Sequence, residues 1–183
     1  MSLKITDEFE CNGGQLEVFQ STKQKRISYI VFSVYLILLI WLVLFKFATN
    51  PSEIPSMRGI NLIPFYYGKE TSVHLKEVIY NIIVFVPLGV YVQIFRENWK
   101  KVMKCLVILL TSFLFEIVQF IFAIGASDVT DLIGNTIGGI VGILLCVILI
   151  KFTPKKFISI INVSGLLIEL VAIGLMLLLL GAN

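Results

Sequence analysis

Five long apolar runs leave this chain few ways to fold. Crossing a hydrocarbon core of ~30 Å takes about 20 mostly apolar residues in a helix, and helices satisfy every backbone polar group internally. The runs lie at about 27–47, 78–95, 105–124, 132–150 and 157–180. They predict an all-α, five-helix transmembrane bundle over residues 27–183, preceded by a polar tail at 1–26 and carrying one outer loop at 48–77. Composition agrees: 57% of the residues are hydrophobic and 15% charged, with a mean hydropathy of +0.93. Soluble domains carry about 25% charged residues, so a cytosolic enzyme and a disordered regulator are both excluded. A net charge of +3, confined to short segments, also argues against a nucleic-acid partner.

Cleavage of a leader is not expected, because residues 1–26 are polar and the first apolar run is too long for a signal-peptide core. Cys11, Cys105 and Cys146 show neither metal-ligand spacing nor the density of a disulfide scaffold, and His74 is the single histidine. No metal centre and no cofactor are expected.

Lysine and arginine set the direction of insertion, since they are retained on the cytoplasmic side. Lys4, Lys23, Lys25 and Arg26 precede the first run; Arg96, Lys100, Lys101 and Lys104 lie between the second and third; Lys151, Lys155 and Lys156 lie between the fourth and fifth. The other side holds only Lys46, Arg58, Lys69 and Lys76. The N-terminus is therefore expected inside and the C-terminus outside.

This topology sorts the intramembrane polar residues by depth. Asn81 falls near the outer end of the second span, and Glu116 and Gln119 share one face of the outer half of the third. Asp128 and Asp131 occupy the following short turn, and Asn135 follows one turn into the fourth span. Ionisable groups at this depth face a bundle interior or a wet cavity, because exposure to lipid costs roughly 2.5–3.5 kcal/mol at mid-helix. Two readings stand. The groups hydrogen-bond across helices and hold the bundle together, or they line a hydrated outward pocket formed by Asn81, Glu116, Gln119, Asp128, Asp131 and Asn135, with Arg58 as a basic neighbour. Asp128 also suits a helix cap, and hard-cation binding by the carboxylates is a further alternative. Glu169, alone in the middle of the fifth span, is read as structural.

Gly134, Gly138 and Gly142 recur every four residues and make one smooth face on the fourth span. Such a face lets two helix backbones approach closely, either within the bundle or between two copies of the chain. Pro87 removes a helical hydrogen bond from the second span and is expected to kink it.

The ordered set Asn61-Leu62-Ile63-Pro64-Phe65, Asn81 through Pro87-Leu88-Gly89, Glu116-Ile117-Val118-Gln119, Asp128-x-x-Asp131 and Asn135-Thr136-x-Gly138-Gly139 resembles the VanZ-like family. The similarity extends over about residues 27–180. It implies a multi-pass protein of the bacterial cell membrane that lowers susceptibility to the glycopeptide antibiotic teicoplanin. The expected partners are then membrane lipids, with teicoplanin or a lipid-linked cell-wall precursor as the pocket's ligand. No nucleophile–base pair is recognisable, which favours a non-enzymatic role. The alternative is an integral-membrane enzyme acting on a lipid headgroup or lipid-linked wall component, with Glu116 as acid or base and Asp131 or His74 as its partner. A transporter fits less well, since there is no inverted repeat and the polar groups keep to one leaflet.

Overall fold

The computed structural model describes residues 21–45, 57–65, 71–153 and 156–181. Among them run five helices long and apolar enough to cross a membrane: α1 (Thr22–Phe45), α2 (Thr71–Phe95), α3 (Lys101–Phe122), α4 (Val129–Phe152) and α5 (Phe157–Gly181). The five-helix bundle expected from the sequence is the observed fold, and the protein is a multi-pass membrane protein. Most of the proposed tail, residues 1–20, lies outside the described residues, as do Lys46 and Lys69.

Two corrections concern the loops. Residues 71–77 belong to α2 rather than to a loop, because the polar stretch before Val78 still continues the helix. Met57–Asn61 and Ile124–Asp128 form strands β1 and β2, which pair in parallel with Asn61 opposite Asp128. Parallel strands need a long crossover, supplied here by α2 and α3. Ile124, placed by hydropathy at the end of the third span, is thus a strand residue. Ala123 ends α3 in the left-handed conformation (φ 56°), its N–H reaching back to the Gln119 and Phe120 carbonyls.

Burial within the bundle follows helical spacing, with the polarity of a water-soluble protein reversed. The inward stripe of α3 is Lys104, Ile108, Ser112, Phe115, Glu116 and Gln119, while Leu110, Leu114 and Ile121 face outward. Leucine facing lipid loses nothing, so polar side chains gather inside, where partners exist. The α2–α4 contact is the tightest. A Cβ on Gly138 would land on the Ile82 carbonyl, one on Gly142 on the Val86 carbonyl, and one on Gly89 on the Gly139 carbonyl. The glycine face of α4 is therefore filled by α2 of the same chain, and pairing of two copies through Gly134, Gly138 and Gly142 would require α2 to leave it. Tyr35 of α1 donates to the Val84 carbonyl at 2.7 Å. That carbonyl is one residue beyond Ile83, whose own helical donor Pro87 removes.

α1 and α2 also share an aromatic cluster in which Tyr29 stacks on Phe95 (centroids 4.4 Å) and Phe32 meets Tyr91 (5.0 Å). α5 leans on α1, where the Ser28 hydroxyl donates to Asn162 Oδ1 at 2.9 Å. At the end of the bundle away from the strands, buried Lys104 donates to Gln93 Oε1 (2.8 Å) and to the Glu97 carbonyl (2.9 Å), and Arg96 lies over the Trp99 ring.

Candidate functional site

The polar residues converge at the strand end of the bundle. Asn81 sits on α2, Glu116 and Gln119 on the last turns of α3, and Asp131 and Asn135 on the first turns of α4. These five side chains line one cavity of about 260 Å³, closed on its apolar side by Leu42, Val43 and Val84.

Each lining group is held by a specific contact. Asn81 Nδ2 donates to Asp131 Oδ1 at 2.7 Å, bridging α2 to α4 above their glycine contact. Gln119, 1% exposed, donates from Nε2 to the Val43 carbonyl of α1 at 2.9 Å. Asn135, fully buried, donates from Nδ2 to Ser112 Oγ on α3 at 2.9 Å. Glu116 Oε2 accepts from the Asp128 backbone N–H at 3.0 Å, and the Glu116 carbonyl accepts from Ser127 Oγ at 2.8 Å, so α3 is tied to β2 on both sides of this residue.

Two amide oxygens remain over. Gln119 Oε1 and Asn135 Oδ1 are buried with no hydrogen-bond partner among the described residues. For Gln119 the orientation is dictated by its neighbour: a backbone carbonyl only accepts, so the nitrogen must face Val43 and the oxygen is left. For Asn135 either amide atom can face the Ser112 hydroxyl, and in either case one is left. An unsatisfied buried polar atom costs about 1–3 kcal/mol, and native structures keep few of them. A bound ligand that donates to these oxygens removes the cost.

Asp128 stands apart from this cavity. Its Oδ1 accepts from the Thr130 N–H at 2.7 Å as the N-cap of α4, and its Oδ2 accepts from Asn61 Nδ2 at 3.1 Å, clasping β1 to β2. Of the two roles expected for Asp128, the geometry gives the cap: three residues before Asp131 at a helix start, its carboxylate turns back onto the Thr130 N–H and does not line the cavity. It lines a second hollow of about 260 Å³ on the outer flank of α3, a mostly apolar groove between β1 and the start of α4. Glu116 lines both spaces and stands between them. The backbone of Arg58 lies in β1 opposite Gly125, and that of His74 in α2; both side chains lie outside the described residues.

With this geometry in view, comparison with known proteins decides the family. The VanZ/LLP1 family model matches residues 32–150. The chain belongs to the VanZ/LLP1 family. It is 41% identical to protein VanZ of Enterococcus faecium over 115 residues, which cover 62% of this chain and 69% of the relative. No solved structure matches it. The family match takes in α1 from residue 32, all of α2 and α3, and α4 to residue 150, and with them every described residue of the cavity, whereas α5 lies beyond it.

Sequence reasoning missed three participants. Glu77 lines the cavity one helical turn before Asn81, a spacing that puts both on one face of α2. Ser112, the partner of Asn135, lies four residues before Glu116 on the inward stripe of α3. Both signals were legible as i, i+4 neighbours. Asn61 carries no such signal, because its role depends on the strand pairing.

Proposed function

We propose that this protein lowers bacterial susceptibility to teicoplanin from the cell membrane, by binding a ligand in the cavity between α2, α3 and α4. Homology to protein VanZ supports the glycopeptide-resistance role. The lysine and arginine pattern supports an N-terminus inside and a cavity that opens toward the extracytoplasmic face, where the drug, the lipid headgroups and lipid-linked wall precursors all meet. One observation carries the binding role: Asn81, Glu116, Gln119, Asp131 and Asn135 line a single space, and Gln119 Oε1 and Asn135 Oδ1 are buried there without a partner among the described residues. A cluster serving only to hold the bundle together would have paired them.

The test compares teicoplanin susceptibility in cells expressing wild type, Glu116→Gln, Gln119→Met or Asp131→Asn at matched membrane abundance. Loss of protection in these variants supports the reading. Full protection in all three removes the cavity from the explanation.

A further inference from the structure

The groove on the outer flank of α3 is separate from the cavity and independent of the binding role proposed above. Three parts of the chain wall it: Ile60 and Leu62 in and just after β1, Phe113, Ile117 and Phe120 of α3, and Leu132 near the start of α4. The α3 residues share one helical face and extend the groove over about 10 Å of the helix. Four polar side chains also border it, and each is already engaged within the protein. Asn61 Nδ2 donates to Asp128 Oδ2, Asp128 Oδ1 accepts from the Thr130 N–H, Glu116 Oε2 accepts from the Asp128 N–H, and Ser127 Oγ donates to the Glu116 carbonyl. The surface left to a guest is almost wholly hydrocarbon.

This surface continues one that the bilayer covers. Phe113, Ile117 and Phe120 belong to the last three turns of a membrane-spanning helix and are all exposed. Ile60 and Leu62 border the same hollow from the strand side, 60% and 77% exposed. Contiguous apolar surface of this kind marks an interaction site. Water is a poor occupant, since an ordered water needs two to four polar partners, and the polar groups at the border are bonded to one another. The open face of a spanning helix meets lipids that exchange freely, whereas a slot walled on three sides can hold one of them in place.

We propose that the groove holds one acyl chain of a bilayer lipid, drawn from the leaflet at the strand end of the bundle, as a resident part of the fold. The chain packs between Ile60 and Leu62 on one side and the Phe113, Ile117 and Phe120 face of α3 on the other. Asn61 and Asp128, whose clasp borders the groove, connect it to the cap of α4.

The experiment reconstitutes the full chain in phosphatidylcholine vesicles that contain a small share of phosphatidylcholine with a diazirine midway along one acyl chain. After illumination and digestion, mass spectrometry maps the labelled residues. Label is expected on the β1 wall (Ile60, Leu62) and on the α3 wall (Phe113, Ile117, Phe120) at a yield at least fivefold above that on Leu175, Leu177 and Leu178, which are more exposed than any of the three α3 residues and lie toward the same end of α5. Groove label is also expected to persist when excess unlabelled vesicles are fused in before illumination, while label on α5 falls. Ile117→Trp, which fills the groove, is expected to reduce label on Ile60 and Leu62 at least fivefold; Leu170→Trp, an equal enlargement on the open face of α5, is expected to leave it unchanged. Should Ile117→Trp fail to fold, Leu62→Ser, at an exposed position of the wall, is expected to shorten the persistence of the label. Label that follows exposure alone, and that washes out of the groove as fast as from α5, overturns the resident chain. Label on β1 from a diazirine-bearing decanoate added to the water, with none from the bilayer lipid, gives the groove to a molecule from outside and overturns the bilayer source. Groove residues shielded from both reagents in a protein that runs as a dimer give the groove to a second copy and overturn the proposal as well. No readout here involves teicoplanin, so the role of the cavity stands or falls separately.

Discussion

Adding a single methyl group along one face of α4 probes the α2–α4 contact with an internal control. In Gly138→Ala the new Cβ would sit 2.9 Å from Ile82 Cα and nearer still to the Ile82 carbonyl oxygen; in Gly142→Ala it would sit 3.0 Å from the Val86 carbonyl carbon and from Val90 N. Unstrained carbon pairs rest at about 3.5–4.0 Å, so the two backbones must part by at least roughly 0.5 Å. Overpacking of this kind costs about 1–3 kcal/mol. The displacement also pulls on the Asn81–Asp131 bond, which spans the same two helices at 2.7 Å, and a hydrogen bond to a charged group contributes about 1.5–3 kcal/mol. Gly134→Ala, on the same face, meets nothing nearer than 3.6 Å, and Gly174→Ala on α5 meets nothing within 4 Å. Both gain helix propensity of up to about 1 kcal/mol. Gly139→Ala meets the fully buried Ile108 side chain, first at its branch methyl Cγ2 and then at Cδ1 (2.8 Å); a β-branched side chain has little room to turn but yields more readily than backbone, so this variant falls between the two groups. Thermal unfolding of each variant in one detergent, monitored by loss of the monodisperse species, should rank them in that order, with teicoplanin protection lost first in Gly138→Ala and Gly142→Ala. If those two match Gly134→Ala in stability, the helices are not in backbone contact and the reasoning is refuted.

Three further outcomes are expected. Asp128→Ala removes the α4 cap and the clasp on Asn61, lowering stability by about 1–2 kcal/mol, while Asp128→Asn keeps an acceptor for Thr130 and loses less; denaturation in detergent distinguishes them, and equal losses would discount the cap. Tyr35→Phe deletes the hydroxyl that reaches the Val84 carbonyl beside the Pro87 break, for a loss of about 0.5–1.5 kcal/mol in the same assay, whereas an unchanged midpoint would show that this carbonyl needs no second donor. For the topology, a cysteine at Lys100 should stay unlabelled by a membrane-impermeant maleimide in intact cells and react after permeabilisation; labelling of intact cells would invert the orientation and place the cavity on the inner side.

How far each feature was legible follows from what determines it. Five apolar stretches of sufficient length have no folded alternative in lipid to five helices, so the spans needed no tertiary information. The depth of Asn81, Glu116, Gln119, Asp131 and Asn135 also follows from position along the chain, because a helix advances by a fixed rise per residue. Their shared level near one end was therefore readable, as was the smooth face of Gly134, Gly138 and Gly142.

Hydropathy carries no record of which neighbour a helix turns toward, since outward leucines and inward ones are alike apolar. Only packing brings α2 onto the glycines of α4, turns Asp128 into a cap facing the groove instead of the cavity, and pairs Met57–Asn61 with Ile124–Asp128 across two intervening helices. Only packing, too, leaves Gln119 Oε1 and Asn135 Oδ1 without donors among the described residues. The sequence by itself determined which residues lie at which depth, through length and local polarity; the tertiary structure decided which of them face one another, because rotation about a helix axis is set by contacts between segments distant in the chain.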